Sequence, residues 1–115
     1  MVVGADAPPL VAPPAPVLSD VPEPTAVEEE QDIKRMIALT MGASWVETFR
    51  CESQLDPLAI GDAGERGLAQ IHPINFGLVA ELGYTPDDLL LPAVNLEVAK
   101  VILESQGPGA WACRD

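Results

Sequence analysis

Residues 51–73 read CESQLDPLAIGDAGERGLAQIHP, and the fold depends on how this stretch is understood. Glu52 closes an apolar helical run, a loop punctuated by Gly61, Gly64 and Gly67 follows, and the chain returns through Leu68-Ala69-Gln70-Ile71. Two descriptions fit this order. The plainer is a helix, a surface loop and a short strand. The sharper is a catalytic acid with a substrate groove built in front of it.

The stretch that leads into it, ASWVETFRCES, reads as a helix capped by Ser44, with Glu47 three residues on as the partner in a capping box. At about 100° per residue, Trp45, Phe49 and Glu52 share one stripe of the resulting helix. An acid on an apolar stripe needs a reason. Burial disfavours the charged form of a carboxyl, and a proton retained near neutral pH is what a general acid requires. The alternative is that Glu52 ends the helix at the solvent edge, paired with an arginine.

Outward from this stretch the chain reads mostly as helix. In EEEQDIKRMIALTMG, Ile33, Met36, Ile37 and Thr40 recur at helical spacing, with acids at the start and Gly42 at the end. LAQIH alternates in the manner of a short strand. PINFGLVAEL suits a helix from about Pro73 to Leu82, and Thr85 is a candidate N-cap with Pro86 at the first position and two acids behind it. PAVNLEVAKVILESQG carries Val94, Val98, Val101 and Ile102 on one face, with Gly107 past its end. These elements predict a small, mostly helical domain with one two- or three-stranded β-ribbon.

Residues 1–27 hold seven of the chain's 12 prolines and no lysine or arginine, so an extended leader or linker is expected there, with the folded domain over 28–115. The leader lacks the positive start and unbroken apolar core of a signal peptide, and no run approaches the roughly 20 apolar residues of a membrane span. The formal net charge is −12; six acids fall within residues 1–30, leaving 12 acidic against 6 basic residues beyond them. Phosphate binding needs a basic footprint, so nucleic acid is not an expected partner. No cofactor is expected either. Two cysteines and one histidine make no credible zinc ligand set. A Cys51–Cys113 disulfide is the better reading, worth about 4 kcal/mol for so long a loop and implying an oxidising compartment; two buried, unpaired thiols are the alternative.

Glu52-Ser53, the Asp56-Pro57 turn, the glycine-bearing loop, Gly67-Leu68-Ala69-Gln70-Ile71 and the downstream Pro92-Ala93-Val94-Asn95 opening a helix resemble the SLT-type (soluble lytic transglycosylase) domain of the lysozyme-like superfamily. The resemblance covers about residues 33–113. It implies a mainly α, α+β lysozyme-like fold whose ribbon flanks a cleft, and peptidoglycan glycan strands as substrate. It makes Glu52 the acid/base, and an N-acetyl group of the sugar assists at the anomeric carbon, a departure from the paired-carboxylate scheme.

By the same resemblance Gln70 is the cleft glutamine whose amide bonds substrate, although an exposed strand residue is the plainer reading. Ser53 follows the acid as in the family, or bonds helix backbone instead. His72 occupies a substrate-side position, with a packed or solvated histidine as the alternative. Tyr84 is a candidate to stack on a sugar, whereas Trp45 and Trp111 are expected in the core. Asp62 and Glu65 are the nearby acids that could position water, or they simply shape the turn. The chain departs from the family pattern at Gly61, where the loop usually carries serine. The expected setting is extracellular, on the cell wall or a virion, and the expected state is a monomer. A lysozyme-like fold that binds glycan or protein without turnover, and a plain helical interaction module, are the competing readings.

Overall fold

The computed structural model describes residues 25–113. Within them, α1 (Ala26–Thr40) begins where the Thr25 hydroxyl accepts the Glu28 N–H at 3.1 Å, and Glu28 and Glu29 sit in its first turn, where acids favour the helix dipole. Its predicted apolar face is real: Ile37 is fully buried, and Ile33 and Met36 pack against the core. Apart from its last three residues, the proline-rich leader assigned to residues 1–27 lies outside the described residues.

Helix α2 (Trp45–Ser53) starts differently from the expected capping box. Ser44 already has helical angles, φ −63 and ψ −22, and its hydroxyl makes no cap bond. Backbone carbonyls of Gly42 and Ala43 take the Trp45 and Val46 N–H groups instead, while Glu47 turns to Arg50. At its far end Gln54 and Leu55 adopt left-handed angles, φ 56 and 59, which cost a non-glycine residue about 1–2 kcal/mol each. The chain thereby leaves the helix and passes into the loop that lines a groove beside Glu52.

Helix α3 (Phe76–Glu81) is preceded by a 3-10 turn at Pro73–Asn75, together covering the predicted Pro73–Leu82 helix. A second 3-10 turn, Pro86–Leu90, is capped as the sequence leads one to expect: the Thr85 N–H donates to Asp88 Oδ2 at 2.8 Å, and its hydroxyl does so at 3.1 Å. Helix α4 (Pro92–Gln106) is the element around which the others assemble, touching α1, the Pro86–Leu90 turn and the last 3-10 turn, Pro108–Ala110. Because it is covered on more than one side, its buried set is Asn95, Leu96, Val98, Ala99 and Ile102, with Val94 and Val101 only half-buried. Each large apolar side chain so enclosed contributes about 1.5–3 kcal/mol.

The β-ribbon is smaller than expected. Among the described residues it amounts to two isolated antiparallel bridges, Ile60 with Arg66 and Arg66 with Ile71. LAQIH is a turn rather than a strand, for two reasons: Gln70 has φ 49, outside the β region, and the Ala69 N–H is taken by a side chain, Asn95 Oδ1 at 2.9 Å, where a strand would pair it with a neighbour. Consecutive Leu68 and Ala69 are both fully buried, which alternating strand geometry would not allow against one core.

Candidate active site

Glu52 occupies the last turn of α2, on the stripe it shares with Trp45 and Phe49. That stripe faces the C-terminal segment. The Trp111 ring meets Trp45 edge-on at 4.9 Å and lies 6.1 Å from Phe49, and its Nε1 donates to the Ala69 carbonyl at 2.9 Å. One turn further along, the Cys113 backbone N–H donates to Glu52 Oε1 at 3.1 Å. Cys51 and Cys113 form a disulfide, with their Cα atoms 5.7 Å apart, and the alternative of two free thiols is thereby set aside.

Glu52 is half-buried, and the arginine nearest in sequence does not serve it. Arg50 Nη1 pairs with Glu30 at 3.1 Å and its Nε with Glu47 at 3.4 Å. The hydrogen bond that Arg50 donates to Glu30 raises the Arg50 pKa above its ordinary value.

An open groove of about 510 Å³ lies beside the acid, lined by Cys51, Glu52, Ser53, Gln54, Asp56, Leu58, Ala59, Ile60, Gly61 and Gln70. That volume falls within the range of about 300–1,000 Å³ common to small-ligand sites. Its far lip is apolar and open to water, Leu58 being 64% and Ile60 58% exposed. Two of the non-glycine left-handed residues, Gln54 and Gln70, line the groove, and such strain gathers where a side chain must be aimed.

Gln70 shows how the loop is built. Its Nε2 donates to the Ala59 carbonyl at 3.1 Å and the Gly67 carbonyl at 3.0 Å, a pairing that fixes which end of the amide is nitrogen. Both donors are therefore spent on backbone. The remaining Oε1 lies against Gly61, where an added Cβ would stand 2.6 Å from it and 2.9 Å from Glu65 Oε1. At this position, where serine was expected, any side chain would have to displace the ends of Gln70 and Glu65. Ser53 is buried, and its hydroxyl donates to the Phe49 carbonyl one turn back at 3.0 Å.

The other candidates are not among the groove-lining residues, although Glu65 adjoins one of them, Gly61. His72 is exposed, and its Nδ1 accepts the Ile74 N–H at 3.0 Å as the cap of the following 3-10 turn. Tyr84 donates to Glu97 Oε1 at 2.8 Å, and this bond raises the phenol's pKa above its usual value. Asp62 is exposed on the loop, and Glu65 Oε1 accepts the Ala63 N–H at 2.7 Å. Among the described residues no group of three His, Cys, Asp or Glu side chains is placed to hold a metal ion.

Two residues that the sequence marked only as parts of motifs, with no role at the site, take part in building it. Asp56 lines the groove, with Oδ1 accepting the Leu58 N–H at 2.9 Å and the other oxygen left over; its Asp-Pro context read only as a turn. Asn95 is fully buried and accepts from Ala69 N while donating to the carbonyls of Arg66 and Leu89, each at 2.9 Å. It ties the loop that carries Gln70 to the start of α4.

A family model described as the transglycosylase SLT domain matches residues 46–107, which include Glu52, Ser53, Gln70 and Asn95. No curated protein and no solved structure matches the chain. No helix among the described residues is long and apolar enough to cross a membrane.

Proposed function

The chain belongs to the transglycosylase SLT domain family, and on that footing we propose that it cleaves peptidoglycan at the β-1,4 bond between N-acetylmuramic acid and N-acetylglucosamine, with Glu52 as its general acid and base. The observation that carries this reading is the setting of Glu52: half-buried at one side of a sugar-sized groove, held by a backbone amide, and free of the arginine on its own helix. A carboxyl fixed at Oε1 has Oε2 available for proton transfer, and geometry of this kind comes first in identifying an acid or base.

In the proposed reaction Glu52 protonates the glycosidic oxygen while the substrate's N-acetyl oxygen assists at the anomeric carbon. The resulting carboxylate then takes a proton, either from the sugar's 6-hydroxyl to give an anhydro end or from water to give a reducing end. Gln70 Oε1, its amide donors already used, accepts a hydrogen bond from a sugar hydroxyl or acetamido N–H. Leu58 and Ile60 meet the apolar parts of the sugar, and Asp56, the other acid in the groove lining, orients water. His72 and Tyr84 do not line this groove and have no part in the proposed step. The proposed workplace is the cell wall, reached from outside a cell or from a virion.

Purified cell walls digested with wild type and with Glu52→Gln test this reading. Loss of soluble muropeptides in the variant supports catalysis, and the mass of the products separates anhydro from reducing ends by one water. Equal capture of glycan by both proteins with no release by either would instead mean a binding module.

A further inference from the structure

The C-terminal segment is tied to the acid in two ways. Cys113 is bonded covalently to Cys51, the residue before Glu52, and its backbone N–H donates to Glu52 Oε1 at 3.1 Å. The segment is anchored separately just before this point, where Trp111 is 4% exposed and bonded through Nε1 to Ala69. Ala112, between the buried tryptophan and the disulfide, is exposed.

We propose that the Cys51–Cys113 disulfide makes the Cys113 backbone amide a positioning donor for Glu52, so that glycan cleavage depends on the oxidation state of this bond. The inference rests on the reading of Glu52 as the acid. In the protonated acid the amide engages Oε1 as the carbonyl oxygen, which leaves the hydroxyl at Oε2. As that proton passes to the glycosidic oxygen, negative charge develops on both carboxyl oxygens, and the N–H already points at one of them. A donor fixed before the charge appears favours the transition state over the ground state. The same bond holds the carboxylate in place for the return of a proton.

A dithiol reductant breaks the Sγ–Sγ bond by supplying two electrons and two protons, leaves two cysteine thiols, and closes into its own cyclic disulfide. Trp111 is held by its own hydrogen bond to the Ala69 carbonyl, so the reduced domain is expected to keep its core while the Cys113 amide is released. A hydrogen bond to a half-exposed charged group, once lost, corresponds to about a tenfold fall in kcat.

The test compares oxidised protein, the same protein reduced by a dithiol after folding, and a Cys51→Ser/Cys113→Ser variant, each confirmed as folded by circular dichroism. Two readouts are taken: kcat and KM on purified peptidoglycan, and the amide resonance of residue 113 followed across the carboxyl pH range, with Glu52→Gln as a control. In the oxidised wild type the resonance is expected to follow the ionisation of Glu52; in the reduced protein and in Glu52→Gln it should not. Reduction should lower kcat about tenfold with KM little changed, and reoxidation should restore it. A disulfide that served stability alone would lower the melting temperature and leave kcat of the folded, reduced protein untouched, which overturns the proposal. So does a Cys113 resonance indifferent to pH in the oxidised protein. Absence of cleavage in every form, with the resonance still following Glu52, sinks the enzymatic reading and retains the contact.

Discussion

Replacing Asn95 with alanine should cost this domain a large share of its stability. Asn95 is fully buried and makes three hydrogen bonds, to Ala69 N, Arg66 O and Leu89 O, all at 2.9 Å. The three losses are unequal. Arg66 O keeps a second donor, the Ile71 N–H at 3.0 Å, and so is little affected. The Ala69 N–H, on a residue with no exposure, would be stranded at a cost of about 1–3 kcal/mol, and the Leu89 carbonyl adds about 1 kcal/mol. With the packing lost around the truncated side chain, the total is about 3–5 kcal/mol. Against the 5–15 kcal/mol or so available to a small domain, that is a fall in melting temperature of about 15 °C or more.

Urea unfolding followed by tryptophan fluorescence measures this, since Trp45 and Trp111 pack beside the core. Asn95→Asp separates hydrogen bonding from volume: it keeps the shape and the acceptor but sets a carboxylate oxygen against two carbonyls, and at neutral pH it should be at least as destabilising. A loss under about 1 kcal/mol in the alanine variant, the size of an ordinary substitution, would refute the idea that this side chain holds the loop to α4.

Three further outcomes follow from the same geometry. Gly61→Ala should push the Gln70 carbonyl out of position, because a Cβ there stands 2.6 Å from Oε1; weaker glycan binding in a pull-down, with a stability loss of about 1–3 kcal/mol, is the expected result. Gln70→Gly should be less destabilising than Gln70→Ala by about 1 kcal/mol in thermal unfolding, since only glycine accepts φ 49 without penalty. Trp111→Phe keeps the aromatic cluster but loses the bond to the Ala69 carbonyl, and should cost at least about 1 kcal/mol by denaturant titration.

The helices were legible because their information is local and periodic. Ile33, Met36 and Ile37 recur at helical spacing and do face the core, and Thr85, the cap candidate before Pro86, bonds to Asp88, one of the two acids behind it. The shared stripe of Trp45, Phe49 and Glu52 was legible for the same reason, although what it faces, Trp111 and Cys113, lies far along the chain. The disulfide was legible because the chain offers few other uses for two cysteines.

What was not legible is set by long-range contacts. The alternation in LAQIH mimics a strand, but Asn95 takes the Ala69 N–H from 26 positions away, and nothing local marks Gln70 for a left-handed backbone. Ser44 and Glu47 have the spacing of a capping box and do not form one, because the preceding Gly42 turn supplies carbonyls first and Arg50 draws Glu47 aside. Asp56 belongs to the groove because two left-handed residues before it swing the loop across the end of α2.

The central claim is that the Glu52 carboxyl moves the proton that breaks the glycan. The rate of muropeptide release by Glu52→Gln, measured against wild type at matched fold and melting temperature, tests it most directly. A general acid accounts for about 10²–10⁴-fold in rate, so the variant should fall by at least about a hundredfold. Release at the wild-type rate would contradict the account.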